Sequence, residues 1–269
     1  MSSYAITGTS RGLGLEFVRQ LSQNASNTVF AIARNPDSAA NLQTLAKQRA
    51  NVHIIKADLS DPQSLLDAAA EISKITNGSL DVLINNAVTY NPESMMMTPS
   101  QIPVDDAATR QLFKASIDSS VYGAIWTTNA FLPLIESGKD KKIIHLSTGM
   151  VDQHITKAAG VPYMIDYVAS KAAMNVIVAK YAVELEPRGI KVVAISPGWV
   201  DTYDGPYPKP AEIAGSTQYM LQSFQKVNPE VKGQIEREDS IKMVLDVIDN
   251  LTTKQTGLMI SHHGNQDWF

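Results

Sequence analysis

Short apolar runs alternate along the chain with longer stretches whose apolar residues recur every three to four positions. The short runs predict strands near 3–7, 28–33, 51–57, 80–85, 141–147, 190–196 and 256–260. Runs such as Val82-Leu83-Ile84 and Val192-Val193-Ala194-Ile195 are apolar without alternation, the pattern of strands covered on both faces of a parallel sheet. The longer stretches predict helices over 12–24, 38–48, 61–76, 106–136, 163–186 and 239–251, with helical turns around 209–227. Asp61-Pro62 and Asp239 mark helix starts through N-capping and first-turn chemistry. Repeated strand–helix units predict an α/β fold, a doubly wound and mostly parallel sheet of about seven strands. Without a linker or an internal repeat, one domain over 1–269 is the economical reading. Two segments break the rhythm. One is 88–103, with Met95, Met96 and Met97. The other is a substrate-loop region at about 200–233, with Tyr203, Tyr207, Tyr219 and Phe224. Both follow strand ends, where open α/β sheets bind ligands.

Composition acts mainly by exclusion. A hydrophobic content of 44% with 19% charged residues fits a globular chain with a substantial core. The net charge of −4, with no basic tract, argues against a nucleic-acid partner. The absence of cysteine removes disulfides, thiolate catalysis and zinc–cysteine sites, and fits a reducing compartment. An apolar strand follows Met1 almost at once, and no apolar run approaches the length of about 18 residues that spans a membrane. A cytoplasmic protein without a membrane span is expected.

The candidate chemistry sits at predicted strand tips and on one helix. In Tyr167-Val168-Ala169-Ser170-Lys171, the phenol and the ammonium are one helical turn apart, with side-chain bases about 5–6 Å from each other. A neighbouring cation favours phenolate, so the pair is expected to give or take a proton near neutral pH. Thr7-Gly8-Thr9-Ser10-Arg11-Gly12-Leu13-Gly14 follows the first strand and opens a helix. Its glycines let backbone approach a pyrophosphate held by helix N-terminal amides. The second strand ends in Arg34, with no acid at its tip to accept from a ribose 2′-hydroxyl. A guanidinium there suits a 2′-phosphate, with Arg11 assisting, so NADP(H) is expected over NAD(H). Asp37 reads as a helix cap. Asp58-Leu59, Asn85-Asn86-Ala87 and Ser196-Pro197-Gly198-Trp199-Val200 gather at further strand tips. His53 and His145 read as packing residues within strands, and His262 and His263 have no partner at metal-ligand spacing.

Taken in order, these motifs resemble the short-chain dehydrogenase/reductase family over essentially the whole chain. Arg11-Gly12-Leu13-Gly14-Leu15, Pro197-Gly198-Trp199-Val200 and the ending Gly264-Asn265-Gln266-Asp267-Trp268 look closest to its sniffer-like carbonyl reductase branch. The resemblance implies a Rossmann fold and hydride transfer between a nicotinamide and a carbonyl or alcohol carbon. It makes Tyr167 the general acid, with Lys171 lowering its pKa and bonding the nicotinamide ribose. It places Gly8, Ser10, Arg11, Gly12, Leu13 and Gly14 at the pyrophosphate, and Asp58 and Leu59 at the adenine. Asn86 and Ala87 would line the adenosine ribose, and Pro197, Gly198, Val200 and Thr202 the carboxamide end. Dimers or tetramers formed through helices 106–136 and 163–186 are also implied.

The chain departs from the family pattern at three positions. Val88 stands where a glycine is usual. Thr148 occupies the place of the catalytic serine, with Ser147 as the alternative if the register slips by one. Ser120 stands where many members carry an asparagine that helps relay protons. Met95–Met97 reads equally as a substrate wall or a protein contact. An NADPH-dependent reductase of an apolar or aromatic ketone or aldehyde, reversibly oxidising the alcohol, is the first reading. A regulatory or scaffold protein that binds the dinucleotide without turnover is the second.

Overall fold

The computed structural model of the chain describes residues 1–205 and 209–269, so Tyr207 lies outside the described residues. The strands are β1 (Ser3–Thr7), β2 (Thr28–Ala33), β3 (Val52–Lys56), β4 (Val82–Asn85), β5 (Lys142–Leu146), β6 (Lys191–Ser196) and β7 (Met259–Ser261). They pair in parallel throughout, in the order β3-β2-β1-β4-β5-β6-β7. The chain moves outward from β1 to β3, then returns to add β4 on the other side of β1. That reversal opens a crevice beyond the carboxyl ends of β1 and β4.

Helices cover both faces. On one side α1 (Gly12–Leu21), α2 (Ala40–Gln48) and α9 (Arg237–Asp249) contribute Phe17, Val18, Leu42, Ile241 and Val244 to a buried layer. On the other, α3 (Pro62–Thr76), α5 (Gly123–Ser137) and α7 (Ile165–Leu185) contribute Leu65, Ile72, Phe131, Leu134 and Val178. Successive strand residues divide between the two layers. Tyr4 and Ile6 join the first while Ala5 joins the second, and Val193 and Ile195 oppose Val192 and Ala194 in the same way. A run that is apolar at every position is therefore what a sheet buried on both faces requires.

Capping agrees with the sequence at several ends. Asp61 accepts from the Gln63 amide with Pro62 as the first residue of α3, and Asp105 accepts from Ala108 at the start of α4 (Asp106–Ile117). Asp239 lies in the first turn of α9, which begins two residues earlier than expected. Asp37 does not cap a helix. It sits inside the 3-10 turn Pro36–Ser38, and neither that turn nor α2 has a side-chain cap. The single helix expected over 106–136 is interrupted by a π turn, Asp118–Tyr122, between α4 and α5. One unexpected helix, α6 (Gln153–Ala159), is capped by Asp152 and closed by left-handed Gly160. The turns around 209–227 consolidate as α8 (Ala211–Gln225).

Phe131 is fully buried between α5 and the sheet. Phe131→Ala should cost about 3–5 kcal/mol of stability in urea unfolding. A loss below about 1 kcal/mol would contradict this account of the second layer.

Candidate active site

The glycine loop packs too closely for any side chain at two of its positions. A Cβ on Gly8 would lie 2.8 Å from the Cα of Ala87, and one on Gly14 would lie 2.2 Å from the Gly8 carbonyl oxygen. Gly8 also has φ +73° and Gly12 φ +59°, in the left-handed region. Asn86 holds the loop from the neighbouring strand tip. Its Nδ2 donates to the carbonyls of Thr7 (2.8 Å) and Gly8 (3.3 Å), while the amides of Asn86 and Ala87 both donate to Thr7 Oγ1 at 3.1 Å. Asn86 thus spends its amide on the loop, a role the sequence did not reveal. The N-terminus of α1 has no side-chain cap and no acid in its first turn. Ser10 and Arg11 are exposed beside it, Leu13 is half-buried, and the space above Gly12 is open. Free amides at the positive end of a helix fit an anionic pyrophosphate.

Arg34 stands exposed just past β2 and forms no ion pair among the described residues. Past β3, Asp58 Oδ1 accepts from the amide and hydroxyl of Ser60. Leu59 reaches the start of α5, where a Cβ on Gly123 would be 3.0 Å from its own Cβ. At the far side of the crevice, Pro197 accepts from the Ser240 hydroxyl at 2.7 Å and Gly198 takes φ +88° against His262. Val200 is buried and bridges Ile235, while Thr202 is exposed.

Helix α7 brings Tyr167 and Lys171 to the tip of β5. Lys171 is buried, and its Nζ donates to the Leu146 carbonyl at 2.7 Å. The ammonium stands 6.0 Å from the centre of the Tyr167 ring. Burial pushes Lys171 down to about 8. Tyr167 keeps partial exposure, yet desolvation, with a smaller contribution from Tyr90, pushes its phenol up to about 12. This corrects the expectation that Lys171 lowers the Tyr167 pKa. The cation is committed to a backbone carbonyl, so in this arrangement desolvation of the phenol prevails. Tyr90 belongs to the segment 88–103, whose Met95 carbonyl accepts from the Met164 amide at the start of α7. Val88 and Met96 of that segment are exposed.

The two hydroxyls after β5 point to different partners. Ser147 is buried and donates to Asn175 Oδ1 on α7 at 2.9 Å. Thr148 is half-buried, accepts from the Met150 amide at 3.3 Å, and has no acceptor for its own proton among the described residues. Ser120 lies in the π turn, buried, with an unpartnered Oγ. Single π turns are frequent at functional sites because they re-aim side chains within a helix. Beneath Lys171 lies His145, read from sequence only as packing. It is fully buried, 3.4 Å from Asn85 Nδ2, and burial, helped by Lys171, pushes it down to about 3. The alternation along β5 was the available signal, since His145 and Ser147 must face the helix layer together. His53, by contrast, stacks on Phe30 with ring centroids 5.4 Å apart.

A third apolar cluster lies outside the two sheet layers. Met150, Val161 and Phe224 form its buried centre, with Tyr163, Trp199 and Met220 packed on it. Phe224 meets Trp199 edge-on at 5.1 Å, and Tyr163 meets Tyr219 at 5.7 Å. Helices α6 and α8 and the Pro197–Val200 turn thus supply an aromatic wall close in sequence to both Thr148 and Tyr167.

A model of the short chain dehydrogenase family matches residues 3–205. A short-chain dehydrogenase/reductase from an Arthrinium species, atnB, is 42% identical over the full length of both chains. The chain belongs to the short-chain dehydrogenase family. An NADPH-bound carbonyl reductase from chicken fatty liver is 25% identical to this short-chain dehydrogenase and superposes with a TM-score of 0.77, covering 100% of this chain and 99% of that one. The Sniffer carbonyl reductase of Drosophila melanogaster shares the fold at 24% identity, with a TM-score of 0.75 over 98% of each chain. Among the described residues of this dehydrogenase, no helix is long and apolar enough to cross a membrane.

The buried lysine has a consequence for stability. Between about pH 8 and its ordinary value of 10.5, Lys171 is deprotonated when folded and still protonated when unfolded. The unfolded chain then binds more protons, so stability rises with pH across that window and is lost as pH falls through it. Tyr167 adds an opposite trend only above its ordinary value of 10.0. Thermal melts of wild type and Lys171→Met at pH 8 and pH 10 should show their difference shifting toward wild type at pH 10. A constant difference would contradict the lowered lysine.

Proposed function

We propose that the protein is an NADP(H)-dependent reductase of ketones or aldehydes, reversibly oxidising the corresponding alcohols. The observation that carries this reading is the placement of Tyr167 and buried Lys171 between the glycine loop and the aromatic wall. When bound, the dinucleotide supplies the hydride in reduction and takes it up in oxidation. The free amides of α1 with Gly8, Ser10, Arg11, Gly12, Leu13 and Gly14 would hold its pyrophosphate, and Arg34 its 2′-phosphate. Asp58, Leu59, Asn86 and Ala87 surround the adenosine end, and Pro197, Gly198, Val200 and Thr202 the carboxamide end. The NADPH reported for the chicken carbonyl reductase supports the choice of cofactor.

Tyr167 stays protonated throughout the neutral range and would deliver that proton to the substrate oxygen as it gains negative charge. Thr148, with its hydroxyl proton free, would hold the same oxygen. Lys171 spends one donor on Leu146 and keeps two others, which suit ribose hydroxyls and the phenol oxygen. Ser120 and the π turn would hold a water on the route by which the Tyr167 proton is replaced. The aromatic wall would select an apolar or aromatic carbonyl compound, and the Met95 carbonyl is tied to Met164 of that wall. Exposed Val176 and Val183 on α7 and Tyr122 beside α5 fit a homodimer or homotetramer built on these helices. A cytoplasmic setting fits the cysteine-free sequence.

NADPH absorbance followed against a panel of aromatic and aliphatic carbonyls tests this reading. Tyr167→Phe should lower kcat by at least about 10²-fold while NADPH affinity is retained. Tight NADPH binding with no turnover on any carbonyl would favour the regulatory or scaffold alternative. Arg34→Ala should raise the Kd for NADPH about 10-fold and leave NADH nearly unchanged. Equal losses for both dinucleotides would sink the 2′-phosphate assignment.

A further inference from the structure

The segment after β7 turns back toward the aromatic wall, and its last two residues make contacts that neither the fold nor the dinucleotide site requires. The Trp268 side chain lies against Gly149, the residue immediately after Thr148. A Cβ at position 149 would stand 3.2 Å from Trp268 Cβ and 3.3 Å from its Cγ, so the indole occupies the space a side chain would take. Trp268 Nε1 donates to Asp152 Oδ2 at 3.0 Å. The other oxygen of Asp152 accepts from the His154 and Ile155 amides and caps α6. Burial alone would raise the Asp152 carboxyl, but the Trp268 bond and those two amides hold it below the ordinary carboxylate range. One indole therefore fixes the loop that carries Thr148 and the helix that follows it.

Phe269 extends the contact outward. Its ring packs on Phe224 with centroids 5.0 Å apart, and Phe224 stands edge-on to Trp199. Trp199 follows directly on the Pro197-Gly198 turn. The row Trp199–Phe224–Phe269 thus runs from that turn to the outer edge of the third apolar cluster. Trp268 and Phe269 are both only half-buried. Each ring therefore keeps an open edge beside the cluster that carries Met150 and Trp199.

We propose that Trp268 and Phe269 determine substrate size: Trp268 fixes the Thr148–Asp152 loop, and Phe269 forms the outer end of the aromatic wall. The inference rests on the carbonyl-reductase reading above. Removing the Phe269 ring opens space for a second aromatic ring on the substrate, while a larger side chain closes it.

The test uses calorimetric binding of acetophenone and benzophenone to the protein loaded with NADP⁺, a complex that cannot reduce either ketone. Phe269→Ala should improve the benzophenone-to-acetophenone affinity ratio by about 10-fold, the scale of one hydrophobic pocket change. Phe269→Trp should move the ratio in the opposite direction. With NADPH, the same shift should appear in KM with kcat nearly constant, whereas a merely structural role would weaken both ketones alike and lower the melting temperature. Trp268→Phe, which keeps the ring but loses the bond to Asp152, should lower kcat for both ketones without changing their ratio. If Phe269→Ala does not fold, Phe269→Leu and Phe269→Trp decide. An unchanged ratio, or failure of wild type to bind either ketone, overturns the inference. A shifted binding ratio in a protein that turns over no carbonyl overturns the reductase reading and leaves the size-limiting wall in place.

Discussion

Burying an ammonium group is costly unless its protons find acceptors, and Lys171 finds one in the Leu146 carbonyl. That bond ties α7 to the end of β5, where the parallel ladder leaves a carbonyl free. Because Lys171 cannot leave without stranding a charge, the turn of helix above it is fixed, and Tyr167 is fixed with it. The same burial that holds the lysine also lowers its pKa, and desolvation raises that of the phenol. The proton chemistry of the pair therefore awaits what fills the crevice in front of it.

The glycine loop depends on an equally tight constraint of a different kind. Ala87 touches Gly8, and Asn86 bonds the loop carbonyls, so the tips of β1 and β4 are locked at the point where the strand order reverses. Side-chain volume is excluded there, which leaves backbone facing the crevice. Across the crevice stand Thr148 with a free hydroxyl proton, Ser120 in a π turn, and neutral His145 beneath the lysine.

Much of this is legible in the sequence. Continuous apolar strands name the doubly buried sheet, and spacing and strand position single out Thr7–Gly14, Arg34 and Tyr167–Lys171 as the candidates. Ser147 and Thr148 face different partners, as neighbours along a strand must, and Ser147 spends its hydroxyl on Asn175. Other features were hidden. Asp152 and Gly160 bound α6, but a seven-residue helix carries too little periodicity to register. The π turn left no trace, because one extra residue in a helix shifts its face without altering its composition. Asp37 was misread because a cap depends on where the next helix starts, and α2 starts three residues later.

The sequence by itself determined the layer order, the glycine loop and the placement of a Tyr–Lys pair on one helical turn. These follow from local rules of periodicity, sterics and spacing. Only the tertiary structure decided what each polar group faces. It turned Lys171 toward Leu146 instead of the phenol, spent Asn86 on the glycine loop, and set Trp268 against Gly149 from more than a hundred residues away. Desolvation and hydrogen-bond pairing depend on neighbours that are remote in the chain, and no local pattern carries them.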